Sequence, residues 1–349
     1  MSRTHINLRP VPVRSTGHIR AVVHTGHEYD KFGNIIREGI ILRETKLHRN
    51  TITNPGFDRM FNNKFNTICM VAGSGNTAPS PSDTTLASYL GKTQTFASAS
   101  TTRNTTPDIN NEVWWRTTKR MTFAPSSLGG GSVNVAEAGI VTNIGFSSIN
   151  SSSPVSARGL LVDEFGNPTT VSVDNSIEYL DIIWEYTEWI PASVTGTVEL
   201  NIDGTPTNFD YEVRPYNFDN TGGSFNSTPW VNASNNNIPG WGPAGNSTYT
   251  WSEATNVFAG PLGVITGNPL GNGTRAWIPI MASSAYTNGS KTRSLNCTWL
   301  PTVGNVDGGI GAFRVDLGHS AWQISMDPKI AKINTKQLDM TFTLTMDNR

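Results

Sequence analysis

Near its C-terminal end the chain places Leu338, Met340, Phe342, Leu344 and Met346 on every second residue, with Asp339, Thr341, Thr343 and Thr345 between them. Successive side chains of a β-strand point to opposite faces, so this spacing gives one clean apolar face, whereas a helix would scatter the same residues around its axis. A strand that is apolar on one face needs a facing layer, and the rest of the chain must supply it.

Further runs read the same way. His18 to His24 and Ile35 to Leu47 flank Asp30-Lys31-Phe32-Gly33-Asn34, a polar turn with Gly and Asn suited to positive φ, and predict a hairpin. Thr67 to Gly73 is a short apolar run ended by Gly-Ser-Gly, which predicts a buried strand leaving through a tight turn. Val113 to Phe123 and Val133 to Val141, joined by a flexible tip at Gly129-Gly130-Gly131, predict two more strands. Leu160 to Val162, Thr170 to Val173, Glu178 to Tyr186, Thr197 to Ile202 and Phe313 to Trp322 continue the rhythm, with Gly166-Asn167-Pro168 and Asp203-Gly204 as turn signals. Only 15% of residues are charged and there are 33 Gly and 20 Pro, a turn-rich mixture.

Two short helices are expected. Asn54-Pro55-Gly56 offers a cap and a proline at the first helical position, with Phe57, Met60 and Phe61 on one face, so a helix should run from Pro55 to Asn62. Asp83, with Leu86 and Leu90 four residues apart and Gly91 as a stop, predicts the second. A Thr/Ser-rich linker follows it. The fold expected is therefore all-β, an antiparallel β-sandwich or jelly-roll-like domain with two short helices and a long Trp/Asn/Gly-rich insertion. The boundaries expected are an N-terminal docking arm at 1–17, a main domain at 18–214, the insertion or second subdomain at 215–307, and return strands at 308–349.

Charge and cysteine content narrow the function. With 26 basic and 27 acidic residues the net charge is -1, so no whole-chain field favours nucleic acid or an anionic membrane, and neither is expected as a partner. No apolar stretch approaches the length of a membrane span and no secretory signal is visible. Cys69 and Cys297 give no disulfide framework or zinc pattern and read as free thiols of a protein made in a reducing cytoplasm. The Asn-x-Ser/Thr triplets at Asn226, Asn246, Asn272 and Asn296 therefore do not predict glycosylation.

Reactive constellations are sparse. His24 and His27 lie three apart, which on a strand puts them on opposite faces, so they read as solvated histidines near a turn and no metal site is expected. Asp181, Glu185 and Glu188 are clustered carboxylates, of which Asp181 and Glu185 could share a strand face, but no second motif supports glycoside hydrolysis. The Gly129-Gly130-Gly131 run lacks the Lys and helix start of a phosphate loop. No catalytic residue and no cofactor is expected.

Four segments carry a resemblance. They are Asn50-Thr51-Ile52-Thr53-Asn54-Pro55-Gly56-Phe57-Asp58, the stretch from Val71 to Leu86 with its strand, Gly-x-Gly turn, Pro/Ser-rich bend and Asp-x-x-Leu, then Asn134-Val135-Ala136-Glu137-Ala138-Gly139-Ile140, and the closing strand. Their order resembles structural proteins of tailed-bacteriophage particles, of the tail, collar or fibre-associated type. The resemblance covers roughly residues 15–215 and the last strand. It implies a non-enzymatic virion subunit present in multiple copies, most simply a homo-oligomer, whose partners are other virion proteins of the tail, the portal and collar, or the capsid. A capsid decoration protein would use the same scaffold.

Two regions are candidates for contacts. The first fifty residues are basic, and Arg3, Arg9 and Arg14 on an arm too polar to pack alone suggest a segment disordered in the free subunit that orders on a partner. The alternative is an ordinary strand edge guarded by Lys and Arg. In the insertion, Trp230, Trp241 and Trp251 could stack on sugar rings, which would make the chain a host-glycan receptor-binding tail module. The alternative is that these tryptophans form the insertion's own core.

Overall fold

The computed structural model describes residues 2–32, 35–61, 68–142, 145–215, 256–258, 262, 273–274, 280–283, 286–303, 305–316 and 321–348. Nearly all regular structure among them is strand, and most pairing is antiparallel, so the chain is all-β.

The strand Val11–His24 organises the larger sheet. Its alternating Val11, Val13, Ile19, Ala21 and Val23 are buried, as the period-two pattern requires. One edge pairs continuously with Tyr179–Pro191, from Arg14 opposite Trp189 to His24 opposite Tyr179. The other edge changes partner along its length. It pairs in parallel with Lys336–Asn348 at Val11 to Ser15, then antiparallel with His48–Ile52 at Gly17 to Ile19, then with Ile41–Glu44 at Val22 to His24. Three partners on one edge make the sheet fork. One limb continues from Tyr179–Pro191 through Glu112–Phe123 to Phe96–Asn104. The other runs through His48–Ile52, Ala157–Leu160, Glu137–Thr142, Ile68–Gly73 and Tyr89–Thr93. The change of partner falls at Gly17, where a Cβ would overlap the Asn50 side-chain oxygen.

A second sheet orders Val194–Ile202, Thr205–Pro215, Ala321–Ile330, Ile310–Asp316, Asn256–Phe258 and Gly273–Thr274. Its first two strands meet at Asp203-Gly204, with φ of 54° and 84°, the positive pair that a two-residue type I′ hairpin turn demands. One contiguous apolar cluster joins the two sheets, from Val13 and Trp184 of the first to Tyr211, Phe313 and Trp322 of the second. The closing strand lies in it, with Leu338, Met340, Phe342, Leu344 and Met346 all buried. Burying five such side chains is worth on the order of 10 kcal/mol before chain entropy is charged against it.

The predicted helix forms as Asn54–Phe61 and buries Phe57, Met60 and Phe61. Its cap is Thr53, one residue earlier than expected, whose Oγ1 accepts from Gly56 N at 3.2 Å. The second predicted helix does not form. The stretch from Ser80 to Ser88 is a series of turns and bends, and Leu90 and Gly91 belong to the strand Tyr89–Thr93. The expected Thr/Ser linker also contains a strand, Phe96–Asn104, paired along Glu112–Phe123.

Two boundaries change. The arm is not a free segment: Ser2–Asn7 runs parallel to Lys336–Asn348 in the same sheet, and Ile6, Leu8, Val11 and Val13 are buried. Part of the expected insertion is also main sheet, because Thr292–Trp299 pairs with Lys336–Asn348 over its whole length and buries Trp299.

Candidate interaction surface

Three of the four segments that carry the resemblance, all but the closing strand, meet around one buried carboxylate. Glu137 is fully buried at the start of Glu137–Thr142. Its Oε1 accepts from Gly75 N at 3.1 Å and Ser88 N at 2.8 Å, and its Oε2 accepts from Ala87 N at 3.2 Å and from Arg158 Nε at 2.7 Å. Arg158, itself buried, also donates to Asp83 Oδ2 at 2.6 Å and to the Thr77 carbonyl at 2.8 Å. Asn54 N donates to the Pro81 carbonyl at 2.7 Å, which ties the helix to the same loop. Burial lowers the Arg158 pKa, but the bonds to Glu137 and Asp83 outweigh it and raise the net value. The Pro/Ser-rich loop is thus held by backbone amides on a buried anion, which is scaffold chemistry: every strong acceptor position of Glu137 is already used.

A second buried node lies at the end of the central strand. The strand stops at His24, and the chain turns through Thr25 and Gly26, so His27 comes back over His24 with ring centroids 4.3 Å apart. This corrects the expectation of solvated histidines on opposite faces: both are buried and stacked. His24 Nδ1 donates to the Thr25 carbonyl at 2.5 Å, and its Nε2 lies 3.1 Å from Asp181 Oδ2. Asp181 also receives Arg120 Nε at 2.5 Å and Thr122 Oγ1 at 2.5 Å. Burial opposes ionisation of His24, but the Asp181 carboxylate and the Thr25 carbonyl prevail and raise its pKa; burial likewise opposes ionisation of Asp181, but the bonds from His24 and Thr122 and the Arg120 charge hold it below the ordinary carboxylate range. His27 Nδ1 accepts from Gly39 N at 2.8 Å, and burial, then the neighbouring His24, lower its pKa.

His24, His27 and Asp181 offer ligand atoms within 4.8 Å of one another, a spacing a metal ion could use. The Arg120 guanidinium already supplies the cation that neutralises Asp181, so the arrangement works as an ion-paired latch.

What the latch holds is a projecting hairpin. Thr25 N donates to the Ile40 carbonyl at 3.0 Å and Ile40 N to Thr25 Oγ1 at 2.9 Å. Gly39 passes so close that a Cβ would overlap the Thr25 carbonyl oxygen. Beyond this base, Glu28–Tyr29 pairs with Ile35–Arg37. The hairpin then exposes apolar side chains: Phe32 at 78%, Ile36 at 66%, and Ile40, Ile41 and Leu42. Ion pairing of Arg43 with Glu178 sets exposed Ile177 beside it, and Lys46 Nζ, 3.2 Å from the Glu164 carbonyl, sets exposed Phe165 nearby. Scattered exposed apolar residues are normal, but five of the ten large ones exposed among the described residues, Phe32, Ile36, Ile40, Ile41 and Leu42, are concentrated on this one segment. Their exposure was not read from the sequence, because Ile35 to Leu47 has the composition of a buried strand.

The contacts expected on the arm are used within the chain. Arg3 pairs with the Asp339 carboxylate, the backbone N of Arg9 donates to Tyr211 Oη at 3.1 Å, and Arg14 Nη2 lies 2.6 Å from Glu112 Oε1. The Arg3 and Arg9 side chains are nonetheless left largely to solvent, and Arg14 is half-buried. The three clustered carboxylates serve separate ends. Asp181 belongs to the latch, Glu185 lies 3.8 Å from Arg116, and Glu188 accepts from Trp115 Nε1 at 3.1 Å and Tyr186 Oη at 2.7 Å. Trp230, Trp241 and Trp251 lie outside the described residues.

A comparison of the chain with known protein families, with curated proteins and with solved structures finds no match.

Proposed function

We propose that the chain is a non-enzymatic structural subunit of a bacteriophage particle, a β-sandwich with jelly-roll-like character, present in multiple copies at the tail, collar or head-tail junction. It is made in the cytoplasm of the bacterial host and acts by docking on other virion proteins. The observation that carries this reading is the use made of the resembling segments. The strand, Gly-x-Gly turn, Pro/Ser bend and Asp-x-x-Leu converge on Glu137 and Arg158 and brace a sheet, and no part of that network is left over for a reaction. The apolar end around the 28–44 hairpin supplies what such a scaffold needs for assembly, a rigidly based surface that gains by being covered. Docking then belongs to this end and not to a free N-terminal arm, whose strands are committed to the sheet.

Mass spectrometry of purified particles of the virus that encodes the chain tests the reading. The chain should be a stoichiometric component in multiple copies, and particles that lack it would overturn the proposal.

A further inference from the structure

We infer that the apolar end built by Phe32, Ile36, Ile40, Ile41 and Leu42, with Phe165 and Ile177 beside them, is the contact between copies of this chain. The inference rests on reading this end as an assembly surface and names its occupant. It does not depend on which particle the chain belongs to.

Three observations select another copy. The first is area: each of these side chains leaves on the order of 100 Å² uncovered, and their concentration at one end of the sheet is of the size that one standard interface of roughly 800 Å² per partner covers. The second is charge. Most of the ions around the patch are paired within the chain, Arg37 with Glu28 at 3.0 Å, Arg20 with Glu44 at 3.4 Å, and Arg43 with Glu178, while Lys31 beside Phe32 and Glu164 beside Phe165 add one charge of each sign. A rim neutralised in this way does not steer a strongly charged partner, and it does not repel its own image, as a single-sign rim would. The third is an open edge. Ile41–Glu44 is exposed along its whole length, and among the described residues it pairs only with Val22 to His24. Its first half, Ile41 and Leu42, is apolar ahead of the charged Arg43 and Glu44, and strand addition between like copies would cover it with main-chain bonds as well as side chains.

Sedimentation velocity of the purified full-length chain over a wide concentration range tests the inference. The wild type should associate reversibly, and the pair Ile36→Asp and Ile41→Asp should weaken association at least about tenfold. Both sites are exposed, so circular dichroism should stay unchanged, as should the thermal midpoint at a concentration low enough for wild type and variant both to be monomeric. Ile109 is the control: it is 100% exposed but adjoins the Glu112 end of the sheet, opposite Pro191, far along the register from the Tyr179 end. Ile109→Asp should leave association as it was. A wild type that stays monomeric throughout, or a double variant that associates as the wild type does, overturns the inference. Such a result would leave the virion reading standing if particles contain the chain, whereas self-association of a chain absent from particles would do the reverse.

Discussion

His24 sits with Nε2 3.1 Å from the buried Asp181 carboxylate and Nδ1 on the Thr25 carbonyl, while His27, stacked on it, accepts from Gly39 N and is disfavoured as a cation by burial and by His24. Two imidazoles 4.3 Å apart therefore carry opposite shifts, His24 raised and His27 lowered.

The signs follow by linkage. The His24 contribution is fully present below the ordinary imidazole value of 6.5 and is lost as pH rises through its raised folded value. The His27 contribution is present above 6.5 and is lost as pH falls through its depressed one. His24→Gln should therefore cost more stability near about pH 5.5 than near about pH 8.5, and His27→Gln the reverse. Urea midpoints of the two variants across this range check it, and parallel profiles would contradict the assigned roles.

The Arg158 node predicts a local loss. Arg158→Met leaves Asp83 without its cation and Glu137 with amides alone, at a cost of about 3–5 kcal/mol. Limited proteolysis should then cut between residues 74 and 88 before any other described loop, whereas an unchanged cleavage pattern would show that the loop is held by something else.

Removal of residues 1–13 should not yield a folded subunit. It strips Ile6, Leu8, Val11 and Val13 from the core, each worth about 1.5–3 kcal/mol, which together match the stability of a typical domain. Loss of the cooperative thermal transition is the expected readout, and a truncated chain that melts like the full one would return these strands to the status of an arm.

Lys119 offers a gain. Its side chain is fully buried among strands, near the Phe96 ring, and burial lowers its pKa to about 8. A folded value below the ordinary 10.5 means that the charged form at neutral pH opposes folding, so Lys119→Met should stabilise by on the order of 1–3 kcal/mol near pH 7. The gain should shrink as pH rises through 8 toward 10.5, where both states lose the charge. Denaturant titrations of both proteins at neutral and alkaline pH measure it.

Strands that alternate were legible residue by residue, the closing one above all, because burial of one face leaves its period in the sequence. The same signal is present at Ile6, Leu8, Val11 and Val13, but there the basic character of the first fifty residues outweighed it. Phe96–Asn104 has little apolar content and is a strand because Glu112–Phe123 offers it an edge, a cause outside its own residues. The stacking of His24 on His27 depends on where one strand stops and turns. Arg158 carries no local mark at all, since its partners are Thr77, Asp83 and Glu137. Long-range ion pairs leave no period to read.

The central claim is that this scaffold serves a particle by docking through its apolar end. A reconstruction of the particle at side-chain resolution tests it most directly. Symmetry-related copies should be seen with the 28–44 hairpin covered by a neighbouring subunit and with Ser2–Asn7 in its own sheet. Density for the chain with Phe32, Ile36 and Ile41 facing solvent, and its contacts made elsewhere, would contradict the account.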